Sequence, residues 1–468
     1  MKDLTFASAT SLADAIRRKE VSSAEVIDAH LAQIERENPR LNAVVHVLSD
    51  SARAAAAKAD KAIAAGEAAG PFHGVPMSVK DAWEVAGVPS TGGTLGRANY
   101  IPERDATVVA RMRAAGAIPI GMTNLPELSM AFESDNLVHG RANNPYNVAR
   151  TPGGSGGGGA AAIAAGMSPI EIGADLGGSV RLPSHFCGIA GIRATTGRAP
   201  MTGYFPYMFG WTSLFTAAGP MARTVADLMA ALPVISGPDW MDSHIADVPL
   251  RDARAVSLKG LRVAVHTNNG IMAPTSETKA AVTNAAKALA EAGAIVEEAT
   301  PAGIEQCMEI FIGIAQSDAG ESLRGLLDAI GTKQTHAVLA PMLGANLEHR
   351  PAGFLQRMLA RADMYRTAML GFLENYDLIL CPTNALPAIK HGEYYLNSDV
   401  LPAFSYTIAF NLTGWPGAVV RCGTSPEGLP IGVQSVARPW REDVALAVAQ
   451  HLETALGGYQ RPPLAASA

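Results

Sequence analysis

Two serines that each follow a glycine pair are the residues of this sequence whose types and spacing most strongly indicate chemistry. Ser155 lies in TPGGSGGGGA (151–160), and Ser179 lies in GADLGGSVRLP (173–183). The segment between them predicts a helix over about 157–166, which rises roughly 15 Å, and a short strand near 170–172 that leads back over a similar length. We therefore expect the two hydroxyls to lie side by side at one end of a sheet.

A serine hydroxyl is a poor nucleophile unless a base removes its proton, and Lys80 is the candidate base. It ends the apolar segment GVPMSVK (74–80), and lysine is rarely buried without a role. Burial disfavours the charged form of an amine, so a lysine at a buried strand end can accept a proton. The eleven histidines form no HExxH or similar spacing, and we expect neither a metal nor a cofactor.

The glycine-rich segment has three other interpretations. A flexible linker is flanked by polar or proline-rich chain, whereas this segment continues into AAAIAAGM. Gly154, Gly156 and Gly159 match the GxGxxG phosphate-binding pattern, and residues 153–157 match GxSxG, but both motifs require a hydrophobic strand in front. The preceding NNPYNVARTP is no such strand. A nucleotide-binding module therefore remains only a lesser alternative.

Composition and charge narrow the class of protein. The chain has 468 residues, of which 48% are hydrophobic and 17% charged, with a net charge of −6. Such a chain can bury a large core and is not disordered. Because it has no run of Lys and Arg, we expect no nucleic-acid partner. The four cysteines are far apart, the segment MKDLTFASATSLADAIRRKE (1–20) lacks a hydrophobic signal core, and no stretch approaches 18 apolar residues. We therefore expect a cytoplasmic protein without a membrane span.

Helical and strand patterns alternate along the chain, which predicts an α/β fold with helices on both faces of a sheet. The predicted elements are two helices within 9–38, a helix over 51–66, a strand ending near Lys80, a helix and strand within 105–124, strands within 258–267 and 374–383, and a helix and strand within 276–299. No long polar linker separates them. We expect one domain over residues 1–468, with an N-terminal helical segment over about 1–65.

Four segments of the chain resemble, in order, the conserved blocks of the amidase signature family. They are GVPMSVKD (74–81), the block from TPGGS to TTGR (151–198), DLILCPTNALPA (377–388) and the block from FNLTGW to ARPW (410–440). The resemblance implies the amidase signature fold, a large mixed, mostly parallel, twisted β-sheet with helices on both faces. It also implies an enzyme that cleaves amide bonds.

The resemblance assigns roles to individual residues. Lys80 would be the base, Ser155 the bridging serine on a cis peptide, and Ser179 the nucleophile that forms an acyl intermediate. The backbone N–H groups of Leu176, Gly177, Gly178 and Ser179 would form the oxyanion hole. Ser129 and Met130, together with Ser155, would contact substrate. Many members carry a second serine where this chain has Gly156.

The function expected from these features is hydrolysis of a carboxylic amide, apolar or of the aryl or acyl type, to an acid and an amine or ammonia. The aromatic-rich segment MTGYFPYMFGWTSLF (201–215) either lines the entrance or packs as an ordinary loop. The alternative function is that of the A-type subunit of a glutamine-hydrolysing amidotransferase for tRNA. We expect a small-molecule amide as the binding partner, with homodimer assembly left open. Asp175 and Arg181 are expected to hold the oxyanion loop, and His185 and Cys187 to lie in the core or at its rim.

Overall fold

The computed structural model describes residues 3–67, 70–344 and 347–463. Its strands are β1 (Val44–Val47), β2 (Pro76–Lys80), β3 (Ile118–Thr123), β4 (Ile170–Asp175), β5 (Ala190–Arg193), β6 (Ala217–Ala222), β7 (Arg262–Val265), β8 (Ile295–Glu298), β9 (Leu378–Pro382), β10 (Gly417–Thr424) and β11 (Pro430–Ala437). They form a single sheet in the order β1-β3-β2-β4-β6-β5-β10-β11-β9-β7-β8.

The α-helices of the described residues connect and cover these strands. They are α1 (Ala9–Arg17), α2 (Ser23–Leu41), α3 (Ser49–Ala64), α4 (Thr107–Ala114), α5 (Gly157–Ala164), α6 (Arg181–Cys187), α7 (Trp211–Phe215), α8 (Val225–Ile235), α9 (Ser276–Glu291), α10 (Cys307–Ala315), α11 (Glu321–Ala329), α12 (Ala340–Leu343), α13 (Ala352–Phe372), α14 (Glu393–Leu396), α15 (Ser405–Thr413) and α16 (Glu442–Leu456). None of them is both long and apolar enough to cross a membrane.

Strand β9 demonstrates that helices cover both faces of the sheet. Its side chains alternate in direction, as they must in an extended strand. Leu378 and Leu380 pack in one core with α9 and α16, whereas Ile379 and Cys381 pack in another with α10, α13 and α15. The predicted α/β fold, a mixed sheet between two helical layers, is therefore confirmed.

The prediction that the sheet is mostly parallel is wrong. Only four neighbouring pairs of described strands are parallel, namely β2 with β3 and β4, and β7 with β8 and β9. The other six pairs are antiparallel. The prediction failed because a helix between two strands does not make them neighbours: β6 lies between β4 and β5 and is antiparallel to both. Strands β10 and β11 add a hairpin.

The glycine-rich segment forms a tightly packed helix start. Every residue from 151 to 165 is buried, which rules out a flexible linker. A Cβ on Gly154 would lie 2.5 Å from the carbonyl oxygen of Ala131. The N–H of Gly158 donates to the carbonyl of Asn124 at 3.1 Å, and a Cβ on Gly158 would overlap the same backbone. Glycine is therefore required because helix α5 touches neighbouring backbone directly.

We expect the Gly158→Ala variant to lose stability, by about 2 kcal/mol, because overpacking against a fixed backbone forces the helix away. The matched control is Gly325→Ala in helix α11, where a Cβ would meet no atom within 4 Å. That substitution should raise stability by about 0.5–1 kcal/mol, since alanine favours the helix. Chemical denaturation of both variants tests the pair, and equal stability changes would contradict the proposed close contact.

Candidate active site

Lys80 ends β2, the strand that lies between β3 and β4, and its side chain is completely buried. Its Nζ lies within hydrogen-bond distance of Ser155 Oγ, at 2.7 Å, and of the Tyr204 hydroxyl, at 3.0 Å. Strands β2 and β4 are parallel, so their carboxyl ends meet at one edge of the sheet. The site is built at that edge, because Lys80 ends one strand and Ser179 follows the end of the other.

Ser155 and Ser179 lie next to each other across two glycine loops. The Gly154–Ser155 peptide is cis, and helix α5 begins two residues later. The N–H of Gly156 donates to the carbonyl of Ser179 at 3.1 Å, which joins the loop before α5 to the loop after β4. Both serine side chains line one small cavity. Ser179 is 6% exposed, and its hydroxyl has no hydrogen-bond partner among the described residues.

The carboxylate of Asp175 holds the loop that carries Ser179 through hydrogen bonds to its backbone. The carboxylate of Asp175 accepts hydrogen bonds from the N–H groups of Gly178 at 2.8 Å and Val180 at 3.2 Å. Within the described residues, the N–H groups of Leu176, Gly177 and Ser179 have no acceptor. The N–H of Gly178 is thus occupied, which leaves three of the four predicted oxyanion-hole donors available to a ligand.

Asp175 is itself fixed by buried cations, as the sequence analysis expected for it and Arg181. The Arg181 guanidinium contacts its carboxylate at 3.0 Å, and that of Arg193 lies 3.8 Å away. Burial alone would raise the pKa of Asp175, but these two guanidinium groups and a hydrogen bond from Asn411 hold it well below its usual range. The loop therefore rests on a carboxylate that remains charged.

Two residues of the site were missed by the sequence analysis. Tyr204 belongs to the aromatic segment, but nothing in the sequence singled out its hydroxyl. Glu171, within the otherwise apolar strand IEIGAD, is fully buried and accepts a hydrogen bond from Thr123 Oγ1 at 2.8 Å. Burial raises the pKa of Glu171 to about 7, against the opposing effects of its hydrogen bonds and the charge of Lys80. A charged residue within a buried strand was the signal that could have found it.

The cavity beside the two serines is small, with a volume of about 10 Å³, and none of its described lining residues carries a formal charge. The predicted substrate contacts Ser129 and Met130 line it, and the aromatic-rich segment supplies Tyr204 and Met208. Its remaining lining residues are Ser155, Ala174, Leu176, Ser179 and Thr216. The described residues contain no group of three or more side chains able to hold a metal ion.

His185 and Cys187 lie in the core, as expected. Both side chains are fully buried on helix α6. The His185 ring bonds to the carbonyl of Leu386 at 3.0 Å and accepts from the N–H of Gly432 at 2.6 Å. Burial lowers the pKa of His185 to about 4, so the ring is neutral and its two nitrogens are already engaged.

We expect the Asp175→Asn variant to lose about 3–5 kcal/mol of stability, because it leaves buried guanidinium groups without their counter-charge. The control is Asp252→Asn, which removes an exposed pair with Arg254 at 2.9 Å. Exposed pairs contribute little to stability, and that variant should unfold like the parent. Urea denaturation measures both, and a small loss in Asp175→Asn would contradict the role of the carboxylate as the loop's anchor.

Glu171 should make stability depend on pH. Its pKa is raised from 4.5 to about 7 in the folded protein, so the folded state binds an extra proton between these values. The stabilisation is complete below the lower pKa and is lost as pH rises through the higher one. Glu171→Gln should therefore gain stability relative to the parent as pH rises from about 5 to about 8. Glu453, whose pKa burial also raises to about 7, is present in both proteins and cancels in the difference. A difference in unfolding free energy that stays constant with pH would contradict the expectation.

Comparisons with known proteins extend over nearly the whole chain. A family model described as Amidase matches residues 25–446. The A subunit of a glutamyl-tRNA(Gln) amidotransferase from Synechococcus sp. (strain CC9605) is 34% identical, over 96% of this chain and 96% of that protein. A solved structure of 6-aminohexanoate cyclic dimer hydrolase with substrate is 30% identical, with a TM-score of 0.88 and coverage of 98% and 99%. A bacterial aryl acylamidase is 26% identical, with a TM-score of 0.86 and coverage of 96% of each chain.

The two solved structures share this fold, and the family predicted from the sequence blocks is the one that the family model matches. The chain belongs to the amidase family, in its amidase signature group.

Proposed function

We propose that this enzyme hydrolyses a carboxylic amide through an acyl intermediate on Ser179, with Ser155 as proton relay and Lys80 as base. The observation that carries the proposal is the 2.7 Å contact between Lys80 Nζ and Ser155 Oγ, at a cavity that Ser179 also lines. The described residues that line this cavity include no histidine, and a buried amine beside hydroxyls can take the base's role in activating a serine.

The reaction proceeds in two halves. Ser179 Oγ attacks the amide carbonyl carbon while its proton passes to Ser155, whose own proton passes to Lys80 Nζ. The oxyanion accepts hydrogen bonds from the N–H groups of Leu176, Gly177 and Ser179, donors that are already in place. The carbon–nitrogen bond breaks as the proton returns through Ser155 to the leaving nitrogen. Water then attacks acyl-Ser179 by the same proton path and releases the acid.

The lining of the cavity supports a neutral, largely apolar amide as substrate. Met130, Leu176 and Met208 supply apolar surface, and none of the described lining residues carries a formal charge. A charged group of a substrate that enters such a cavity loses hydration without gaining a partner. An aryl or acyl amide meets this condition, as the sequence analysis expected.

A second candidate is hydrolysis of glutamine as the ammonia donor of an amidotransferase, with this chain as its A-type subunit. The observation that favours it is the 34% identity with a subunit of that name over almost the full chain. On this evidence the relatives support the alternative more strongly than the first candidate, whereas the uncharged cavity supports the first. Glutamine carries an ammonium and a carboxylate, and both would need partners beyond the small cavity.

Labelling with a fluorophosphonate, followed by mass spectrometry, tests the proposed nucleophile. We expect one adduct on Ser179, no adduct in Ser179→Ala, and labelling slowed by about 10²- to 10⁴-fold in Lys80→Ala, because the base is lost. Ser276→Ala, at the exposed start of helix α9, is the control and should label like the parent. An undiminished adduct in Ser179→Ala would overturn the assignment.

A substrate panel separates the candidate functions. The isolated chain is assayed with acyl p-nitroanilides, simple aliphatic amides and glutamine, with release of amine or ammonia as the measurement. Faster hydrolysis of the uncharged amides supports the first candidate, and a clear preference for glutamine supports the second. ATP binding without amide hydrolysis would favour a nucleotide-binding module. The cytoplasmic location, the absence of a nucleic-acid partner and the open question of a homodimer stay predictions.

A further inference from the structure

Tyr204 is the second side chain that touches Lys80, and the proposed mechanism gives it no task. We propose that Tyr204 is a positioning residue that directs the lone pair of Lys80 toward Ser155, and that Ser129 sets the direction of the tyrosine proton. The inference rests on the proposed role of Lys80 as base. It adds to the proposed mechanism a series of hydrogen bonds that connects Ser129, Tyr204 and Lys80.

The number of protons available determines which group donates and which accepts in each of these hydrogen bonds. The Tyr204 hydroxyl donates its only proton to Ser129 Oγ at 2.9 Å, so its oxygen faces Lys80 as an acceptor, 3.0 Å from Nζ. An uncharged amine has two N–H donors and one lone pair. When one N–H points at Tyr204, the lone pair is free to face Ser155 at 2.7 Å. A tyrosine proton turned the other way would compete with Ser155 for that lone pair.

The tyrosine ring is fixed relative to the end of β2. It is 2% exposed and meets the Trp83 ring edge to face, with centroids 4.6 Å apart. The Trp83 indole N–H donates to the carbonyl of Ile172 in β4 at 2.9 Å. The N–H of Phe205 donates to the carbonyl of Ala82 at 2.7 Å. These contacts hold the hydroxyl where the lysine needs an acceptor.

The backbone at Ser129 supports the same inference. Leu128 and Ser129 have φ values of 56° and 58°, a left-handed region that non-glycine residues seldom adopt. Two such residues in succession persist only where the surrounding structure over-determines them. The N–H of Leu128 donates to the carbonyl of Gly92 at 2.8 Å, and the turn presents Ser129 Oγ to Tyr204. This geometry serves the tyrosine contact and also leaves Ser129 on the cavity wall.

The other titratable groups near Lys80 have hydrogen-bond partners of their own. The charge of Lys80 lowers the pKa of Glu171 in β4 against the larger effect of burial, and Thr123 donates a hydrogen bond to the Glu171 carboxylate. Asp81, the next residue along the chain, accepts from the N–H of Thr91 at 2.9 Å and contacts His139 at 3.1 Å. Among the described residues, Ser155 and Tyr204 are the side chains hydrogen-bonded to Nζ. The variants below leave Glu171, Asp81 and His139 unchanged.

The test follows fluorophosphonate labelling of Ser179 by intact mass from about pH 6 to about pH 11, the range in which a lysine titrates. The proteins are the parent, Tyr204→Phe, Ser129→Ala and the double variant. The control is Tyr365→Phe, a buried tyrosine that is not among the described lining residues of the cavity and whose hydroxyl donates to the carbonyl of Ala409 at 3.3 Å. Melting temperatures establish that each variant is folded.

We expect Tyr204→Phe to label about tenfold more slowly at its best pH, equivalent to about 1.4 kcal/mol. Its acid-side midpoint should move to lower pH, because the ammonium form loses an acceptor and the uncharged amine is favoured. Ser129→Ala should also label more slowly, and the double variant should label no more slowly than Tyr204→Phe, since Ser129 acts through the tyrosine. Tyr365→Phe should label like the parent.

Two results would overturn the inference. One is a Tyr204→Phe protein with the parent's labelling rate and pH profile, and the other is additive effects of the two single substitutions. If Tyr204→Phe does not fold, an unchanged rate and pH profile in Ser129→Ala overturns the inference equally. Failure of the proposed function looks different, because the parent would then show no adduct on Ser179, or Lys80→Ala would label as fast as the parent.

Discussion

The buried contact between the amine of Lys80 and the hydroxyl of Ser155 is the interaction on which the site depends. An amine without exposure to water must find its partners inside the protein, and Lys80 has two hydroxyls within 3.0 Å. It occupies this position because β2 lies between β3 and β4 and is parallel to both. The end of the strand delivers the amine to the edge at which the chain leaving β4 delivers Ser179.

Close packing of backbone against backbone keeps Ser155 and Ser179 in position beside the amine of Lys80. Gly154 and Gly158 rest on neighbouring main chain with no room for a side chain, and Gly156 bonds to the carbonyl of Ser179. Asp175 then holds the following loop through its hydrogen bonds and its guanidinium partners. Glycines packed on backbone and the buried ion pairs of Asp175 with Arg181 and Arg193 together hold these two loops in place.

Much of this arrangement could be predicted from local sequence. The strand ending at Lys80, the helix and strand between the two serines, and the structural role of Asp175 follow from patterns that span a few residues. Tyr204 could not be found in this way, because it meets Lys80 from a distance of 124 positions along the chain and its segment carries no periodic signal. The prediction of the strand directions failed for the same reason, because strand pairing is decided between segments that are distant in sequence. The insertion of β6 between β4 and β5 is a property of the whole sheet and leaves no trace in any one strand.

The Gly156–Ser179 backbone hydrogen bond joins the two serine loops, and two long thioether side chains, those of Met130 and Met208, line the same cavity. Methionine adapts readily to cavities of different shape. Exchanges at these two positions can therefore alter which molecules the cavity accepts while Lys80, Ser155 and Ser179 are retained.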